Sequence, residues 1–381
     1  MKIAKFFALL GAVAAFAACE PVDNNEPTPP VNTTGSIKLQ VNAAAVAIGD
    51  EIEFTVLQEG QDVTALSTIY MNGSNGIEAL DGYTYKATVT GSYTFFATKD
   101  AETSAYITVV VMAEVPDFPA DTDPTNTKFN HRVMILDHTG TGCGWCPKVT
   151  AALHHIEATD LKKNYNEVTC HGGGYAYPNS DPGWSAAAEK IDAYTPGISG
   201  YPHVRANFTN GNFQNYGVPA SFETEVRSLF SRIIKKNGAD VGIAMNVVGD
   251  AQNVYAAASI KAAVTNEYKV VAWLLENKIV NKDQANYQGP YDDYIYIYNH
   301  AVRQISGNYS SANVLGESIG TLEAGDTFNT AFQLPIVSTK WNTNNMEVII
   351  LVSAKNAQGK WDVVNTAVCP VGEQITFEYL Q

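Results

Sequence analysis

The sequence predicts a multidomain chain in which two β-sandwiches flank a central α/β domain. Three observations predict it. Apolar residues alternate with polar ones at period two over residues 35–113, strand and helix periods alternate over 128–238, and strand-like runs return over 239–381. A length of 381 residues also exceeds one ordinary core and suggests two to three domains. The expected boundaries are a signal segment at 1–18, a tether at 19–34, a first sandwich at 35–113, a linker at 114–127, the α/β domain at 128–238 and a last sandwich at 239–381.

The composition is that of a globular chain, with 45% hydrophobic and 17% charged residues. The formal charge is −15, and it becomes −17 once the first 18 residues, which carry only Lys2 and Lys5, are removed. That acidity argues against nucleic acid or anionic lipid as an electrostatic partner.

The N-terminus reads as a targeting segment. A short basic start, Met1 to Lys5, precedes an apolar run from Phe6 to Phe16 and then Ala17 and Ala18. The run is too short for a membrane span and fits a signal peptide. Phe16-Ala17-Ala18-Cys19 resembles the lipobox of bacterial lipoproteins, although Leu is commoner than Phe at the first position. The resemblance implies that Cys19 is the first mature residue and carries acyl chains, several being needed for stable anchoring. It implies an outer-membrane lipoprotein, since no Asp follows Cys19. Glu20 to Thr34 holds four prolines and no apolar cluster. It is an extended tether, at most roughly 45 Å long at about 3.1 Å per residue.

In the first sandwich Ile37, Leu39 and Val41 share a face, as do Ile52, Phe54 and Val56, Tyr93 and Phe95, and Ile107, Val109 and Val111. Ile48-Gly49-Asp50 and Gly91-Ser92-Tyr93-Thr94 resemble bacterial immunoglobulin-like modules. Glu114 to Thr127, with Pro116, Pro119 and Pro124 among four acids, reads as a linker.

The α/β region starts with a strand over Arg132–Leu136. Val149, Leu153 and Ile156 then share one helical face, Glu167–His171 forms a second strand, Trp184–Tyr194 a helix and Val204–Phe208 a third strand. Phe222, Val226, Leu229 and Ile233 give a last helix, with Ser221 as N-cap, Glu223 and Glu225 in its first turn, and Asn237-Gly238 as its stop. In the last region, strands are expected at Val241–Val247, Val270–Leu275, Tyr294–Tyr298, Phe328–Ile336, Met346–Val352 and Trp361–Val368.

The chemical signature is Cys143-Gly144-Trp145-Cys146. A thiol attacks a disulfide as the thiolate, and a helix N-terminus favours that form. The spacing puts Cys146 one turn after Cys143, close enough to close a disulfide or resolve a mixed one. The expectation is an exposed Cys143 of lowered pKa at the helix start and a deeper Cys146. Two rivals stand beside this. A CxxC can bind zinc, with His138, His154, His155 or His171, but there is no second CxxC pair. It can also be a static disulfide in an oxidising compartment. Cys170 and Cys369 read as buried apolar residues rather than catalytic ones. The stripe Tyr294-Tyr296-Tyr298 before His300 reads as a core or edge strand, with a ligand platform as the alternative.

Val133-Met134-Ile135-Leu136-Asp137 resembles the thioredoxin strand that leads into its active site. The likeness implies that Asp137, six residues before Cys143, is a buried acid that exchanges a proton with Cys146; a turn or cap role is the alternative. Ile198-Ser199-Gly200-Tyr201-Pro202-His203-Val204 resembles the thioredoxin cis-proline segment, which makes Pro202 the substrate-pairing landmark. The run from Asp137 to Pro147, the Gly200-Tyr201-Pro202 segment and Asn299-His300-Ala301-Val302-Arg303 resemble the outer-membrane-protein-28-related lipoproteins, over roughly residues 128–370. That family joins a thioredoxin-like domain to a C-terminal β-sandwich.

The expected fold is therefore an N-terminal immunoglobulin-like β-sandwich, a central thioredoxin-like α/β domain and a C-terminal β-sandwich. The expected function is thiol–disulfide exchange with envelope proteins that carry thiols or disulfides, without a cofactor. A non-enzymatic binding or structural lipoprotein is the alternative. Residue names do not fix the direction of electron flow.

Overall fold

A computed structural model describes residues 37–73, 76–307 and 314–380. The signal segment, Cys19 and the tether lie outside the described residues. Two small sheets face each other in the N-terminal region. One is built on Ile37–Val41 and Glu51–Gln58, the other on Ile107–Met112, Gly91–Lys99 and Thr68–Gly73. The alternating apolar residues do what their period dictates. Ile52, Phe54 and Val56 from one sheet meet Phe95, Ala97, Val109 and Val111 from the other, with the Phe54 and Phe95 rings 4.7 Å apart.

Residues 114–127 carry no regular element, yet they are packed down. Val115 and Phe118 lie against Ala257 and Ala331. Lys261, fully buried, donates from Nζ to Asp121 Oδ2 at 2.8 Å and to the Pro124 carbonyl at 2.7 Å. The expected linker is thus fastened to the last region by an ion pair between a buried lysine and a partly exposed aspartate.

One nine-stranded sheet runs through the rest of the molecule. Its order is Asn210–Asn212, His203–Ala206, Val133–Thr139, Tyr165–His171, Ala301–Ile305, Asn266–Glu276, Met346–Lys355 and Trp361–Pro370, with Glu317–Leu322 also paired to Asn266–Glu276. The sheet crosses the boundary expected at 238/239. Tyr165–His171 pairs in parallel with Ala301–Ile305 through Thr169 and Ala301. An open sheet edge must be covered or paired, and here a strand from far along the chain covers it.

Both faces of the Val133 strand are buried, which is why it reads as a continuous apolar run. Val133 and Ile135 pack on helices α1 (Pro147–Glu157) and α3 (Pro219–Ile233). Met134 and Leu136 face α2 (Ala186–Tyr194) and Trp273. A second sheet of Thr327–Pro335, Asn253–Ala262, Val241–Gly249 and Gln374–Ile375 closes a sandwich over the far half of the long sheet.

Several local expectations need correction. Helix α3 begins at Pro219 with Val218 as its N-cap, so Ser221 lies inside the first turn. Proline at the first helical position gives up an amide that would be unsatisfied there anyway. The helix ends at Ile233, short of Asn237-Gly238, and the Glu225 carboxylate accepts from the amides of Gln214 and Asn215. Tyr294 to Tyr298 is not one strand: a 3-10 turn spans Asp293–Tyr296 and only Ile297–Tyr298 is extended. A further strand, the alanine-rich Asn253–Ala262, adds to those expected. It is buried on both faces, so small side chains suit it and no alternation marks it.

Candidate functional site around the Cys143–Cys146 disulfide

Cys143 and Cys146 form a disulfide with Cα atoms 5.4 Å apart. The loop that carries them leaves the Val133 strand at Thr139 and enters α1 at Pro147, with Cys146 as the N-cap residue. Its turns are closed by backbone bonds from Cys143 N to Gly140 O and from Cys146 N to Cys143 O. The loop is held from outside as well. Asp181 accepts from the Thr141 amide at 2.7 Å, from the Gly183 amide at 2.7 Å and pairs with His171 at 3.0 Å. Burial works against that carboxylate, yet these bonds hold its pKa below the usual carboxylate value.

The expected exposure of Cys143 is not found. Cys143 is 2% exposed, while its neighbour Trp145 is 46% exposed. A strap from the C-terminal region, residues 281–290, is laid across the loop. The strap amides of Ala285 and Tyr287 donate to Thr141 O and Gly144 O, both at 2.8 Å. Gln284 Nε2 reaches Cys143 O at 3.2 Å, and Asn281 Nδ2 reaches Thr141 Oγ1 at 2.7 Å. The Tyr287 ring sits on Gly144 and meets Trp145 edge-on at 6.0 Å. A Cβ at Gly144 would stand 2.4 Å from that ring, so glycine is the residue that lets the strap close. Local spacing cannot reveal such a cover, because it comes from some 140 residues downstream.

Asp137 lies on the Val133 strand, 2% exposed, and its Oδ1 has no hydrogen-bond partner. It is neither a cap nor a turn residue. Burial pushes its pKa well above the ordinary carboxylate value, and the neighbouring charge of Glu167 adds to that. Asp137 opens on a cavity of about 70 Å³ that also touches Thr150, one turn into α1 from Cys146. Glu167, on the adjacent parallel strand, lines the same cavity and is raised to about 6, chiefly by burial.

Tyr201-Pro202 is a cis peptide. It stands just before the strand His203–Ala206, whose His203 is opposite His138. The Tyr201 hydroxyl donates to Asp192, and the other Asp192 oxygen bonds His138 Nδ1. The Tyr201 ring stacks on Tyr175, whose carbonyl accepts from the Gly142 amide, so this segment is coupled to the dithiol loop.

The histidines considered as metal ligands are engaged elsewhere: His138 with Asp192, His171 with Asp181, His155 with Glu223, and His154 stacked on Tyr294 at 4.4 Å. Among the described residues no group of three or more His, Cys, Asp or Glu is arranged to hold a metal ion. Cys170 and Cys369 are separate buried thiols, and burial raises the pKa of both.

The Asn299–Arg303 segment joins the C-terminal region to the site. His300 takes a left-handed backbone (φ 55°), its amide donates to Asn277 Oδ1 at 2.7 Å, and its Nδ1 lies 2.6 Å from Glu347 Oε1. Burial alone would lower the imidazole pKa, but the Glu347 bond and the charge of Glu167 raise it to about 9. Arg303 is buried against Glu276 at 2.7 Å and donates to the carbonyls of Pro182 and Trp184. Residue names alone gave no reason to connect His300 with Asp137; the cavity makes that connection.

Residues 192–374 match the family of outer membrane protein Omp28, which supports an envelope protein. The matched stretch is just under half of the chain and begins in α2, beyond the dithiol loop. Among solved structures, HBP35 of Porphyromonas gingivalis is similar in fold, with TM-score 0.51 and 15% identity over 67% of this chain and 80% of that one. A DUF4785 family protein from Legionella pneumophila, 7% identical over 88% of this chain and 57% of that one, reaches a TM-score of only 0.17. No curated protein matches.

Proposed function

We propose that this chain is a lipid-anchored envelope thiol–disulfide oxidoreductase whose central region, residues 128–238, is a thioredoxin-like domain. Cys143 is the nucleophile, Cys146 the resolving thiol, Asp137 the proton donor and acceptor for Cys146, and Pro202 the substrate-pairing landmark. Its partners are envelope proteins with thiols or disulfides, and its anchor is an acylated Cys19. The observation that carries the reading is Asp137. A buried carboxyl without a partner for one oxygen costs folding free energy, of the order of 1–3 kcal/mol. A static disulfide gives no reason to keep it, whereas a thiolate leaving at Cys146, one helix turn before the Thr150 that lines the same cavity as Asp137, needs a proton. The strand–dithiol–helix order and the cis Tyr201-Pro202 bond support the same reading.

A second reading, a binding or structural lipoprotein with a closed disulfide, is favoured by the burial of Cys143 and by the Tyr287 ring packed on the adjoining Gly144. The two part in one experiment. Equilibrium titration of the pair against glutathione, joined with trapping in cells, should give a measurable potential and mixed disulfides from Cys146→Ser but none from Cys143→Ser. A pair that resists reduction at strongly reducing potentials, with nothing captured by Cys146→Ser, leaves the structural reading in place.

A further inference from the structure

We propose that His300 and Glu167 form a proton relay that feeds Asp137 from the C-terminal sandwich. This inference rests on the oxidoreductase reading and deepens it, assigning positioning roles to two residues outside the dithiol loop.

Asp137, Glu167 and His300 all line one cavity, each from a different strand or strand end, and its volume of about 70 Å³ has room for more than one water. Asp137 faces it with an unsatisfied buried oxygen. The electrostatic neighbours form a series. Asp137 feels Glu167, Glu167 feels His300, and His300 is bonded to Glu347. Glu157 and His154 on α1 lie on the outer side, where Glu157 pairs with Lys162 and His154 stacks on Tyr294. His171 lines the cavity too, but Asp181 occupies it. Near Asp137 the other ionisable groups are Cys170, Tyr201 and Tyr216. The His300 side chain is 31% exposed, so the outer end of the series meets solvent while the inner end does not.

The need for such a path follows from the chemistry. When a thiolate attacks Cys143 Sγ, a new S–S bond forms, the Cys143–Cys146 bond breaks, and its electron pair leaves on Cys146 Sγ. Asp137, held protonated by burial, gives its proton to that sulfur and is left as a buried carboxylate. A charge there is costly until it is neutralised. The His300 imidazolium protonates the Glu167 carboxylate, Glu167 passes that proton to Asp137, and His300 regains a proton from solvent at its exposed side. When dithiothreitol is the reductant, its second thiolate then closes on the mixed disulfide and releases Cys143. Two electrons have passed to the cysteine pair and dithiothreitol is the cyclic disulfide.

The test is the rate of reduction of the full-length protein by dithiothreitol as a function of pH, in ordinary and heavy water. Glu167→Gln, which keeps shape, should slow reduction about tenfold near neutral pH, the size expected of a lost proton-transfer contribution. It should also remove the part of the pH profile that titrates near 6. His300→Asn, a residue that accepts the left-handed backbone, should act in the same direction. Neither should slow an Asp137→Asn protein further. Glu167→Gln with the wild-type pH profile and isotope effect, or losses that simply add to Asp137→Asn, would overturn the relay while leaving the oxidoreductase reading intact. A wild-type disulfide that dithiothreitol cannot reduce would remove both.

Discussion

The amide of Tyr287 donates to the carbonyl of Gly144 at 2.8 Å, and the Tyr287 ring occupies the space that a side chain on residue 144 would need. The loop between the two cysteines is therefore capped by a residue of the C-terminal region that is itself 65% exposed, while the adjoining Cys143 is 2% exposed. A ring so open to solvent can swing away more easily than a core residue can.

Tyr287→Ala should loosen the strap. Losing the ring contact removes about 1–2 kcal/mol from the closed state, which raises the open population about tenfold. Reduction by a protein dithiol should speed up by that order, and reduction by a small phosphine by less. Equal rates in variant and wild type would show that the strap does not limit access.

Gly144→Ala tests the same contact from the other side. The added methyl meets the ring, and overpacking of this kind costs about 1–3 kcal/mol. The melting temperature should fall. Combining it with Tyr287→Ala should recover most of the loss, and a double variant whose losses add would place the strain elsewhere.

Asp137→Asn should stabilise the protein at neutral pH. The folded pKa of Asp137 lies above its ordinary value of 3.8, so its favourable contribution is complete below that pH and is lost as pH rises through the folded pKa. Asparagine does not titrate. The variant should gain on wild type by up to about 1.4 kcal/mol for each tenfold by which folding tightens the hold of Asp137 on its proton, with no gain near pH 4. Denaturant midpoints at about pH 4 and about pH 7 measure this, and a gap that does not change with pH counts against a buried neutral carboxyl.

Lys261→Met should free residues 114–127. It leaves Asp121 and two carbonyls without their shared donor, at about 1–3 kcal/mol given that Asp121 is partly exposed. Limited proteolysis should then cut within 114–127 before anything else. A segment that stays protected would mean that Val115 and Phe118 hold it unaided.

Local structure was legible where a clear dihedral period or a short spacing marked it, and not at the ends of α3 or across Tyr294–Tyr298. Period two in Ile52, Phe54 and Val56 gave a buried face, the run Val133–Leu136 gave a strand buried on both sides, and the spacing of Cys143 and Cys146 gave a closed pair at the start of α1. The helix expected over Trp184–Tyr194 is present from Ala186, where the Ser185 side chain accepts from the Ala188 amide and caps it. Each of these is fixed by dihedral periods and by reach along a few residues.

What those elements meet is a matter of the whole fold. The sequence offers no signal that Thr169 pairs with Ala301, that a strap from residues 281–290 bonds to the Cys143–Cys146 loop, or that Lys261 holds the linker. Nor does it show that Tyr294 and Tyr298 belong to different elements. Strand pairing and burial are set by competition among all apolar surfaces for cover, and the winning partners stand more than a hundred residues apart. The dithiol and the acid six residues before it can be read from the chain as written. That Tyr287 packs on Gly144 between the two cysteines, and that Asp137 shares a cavity with His300, follows from long-range packing, which no local pattern encodes.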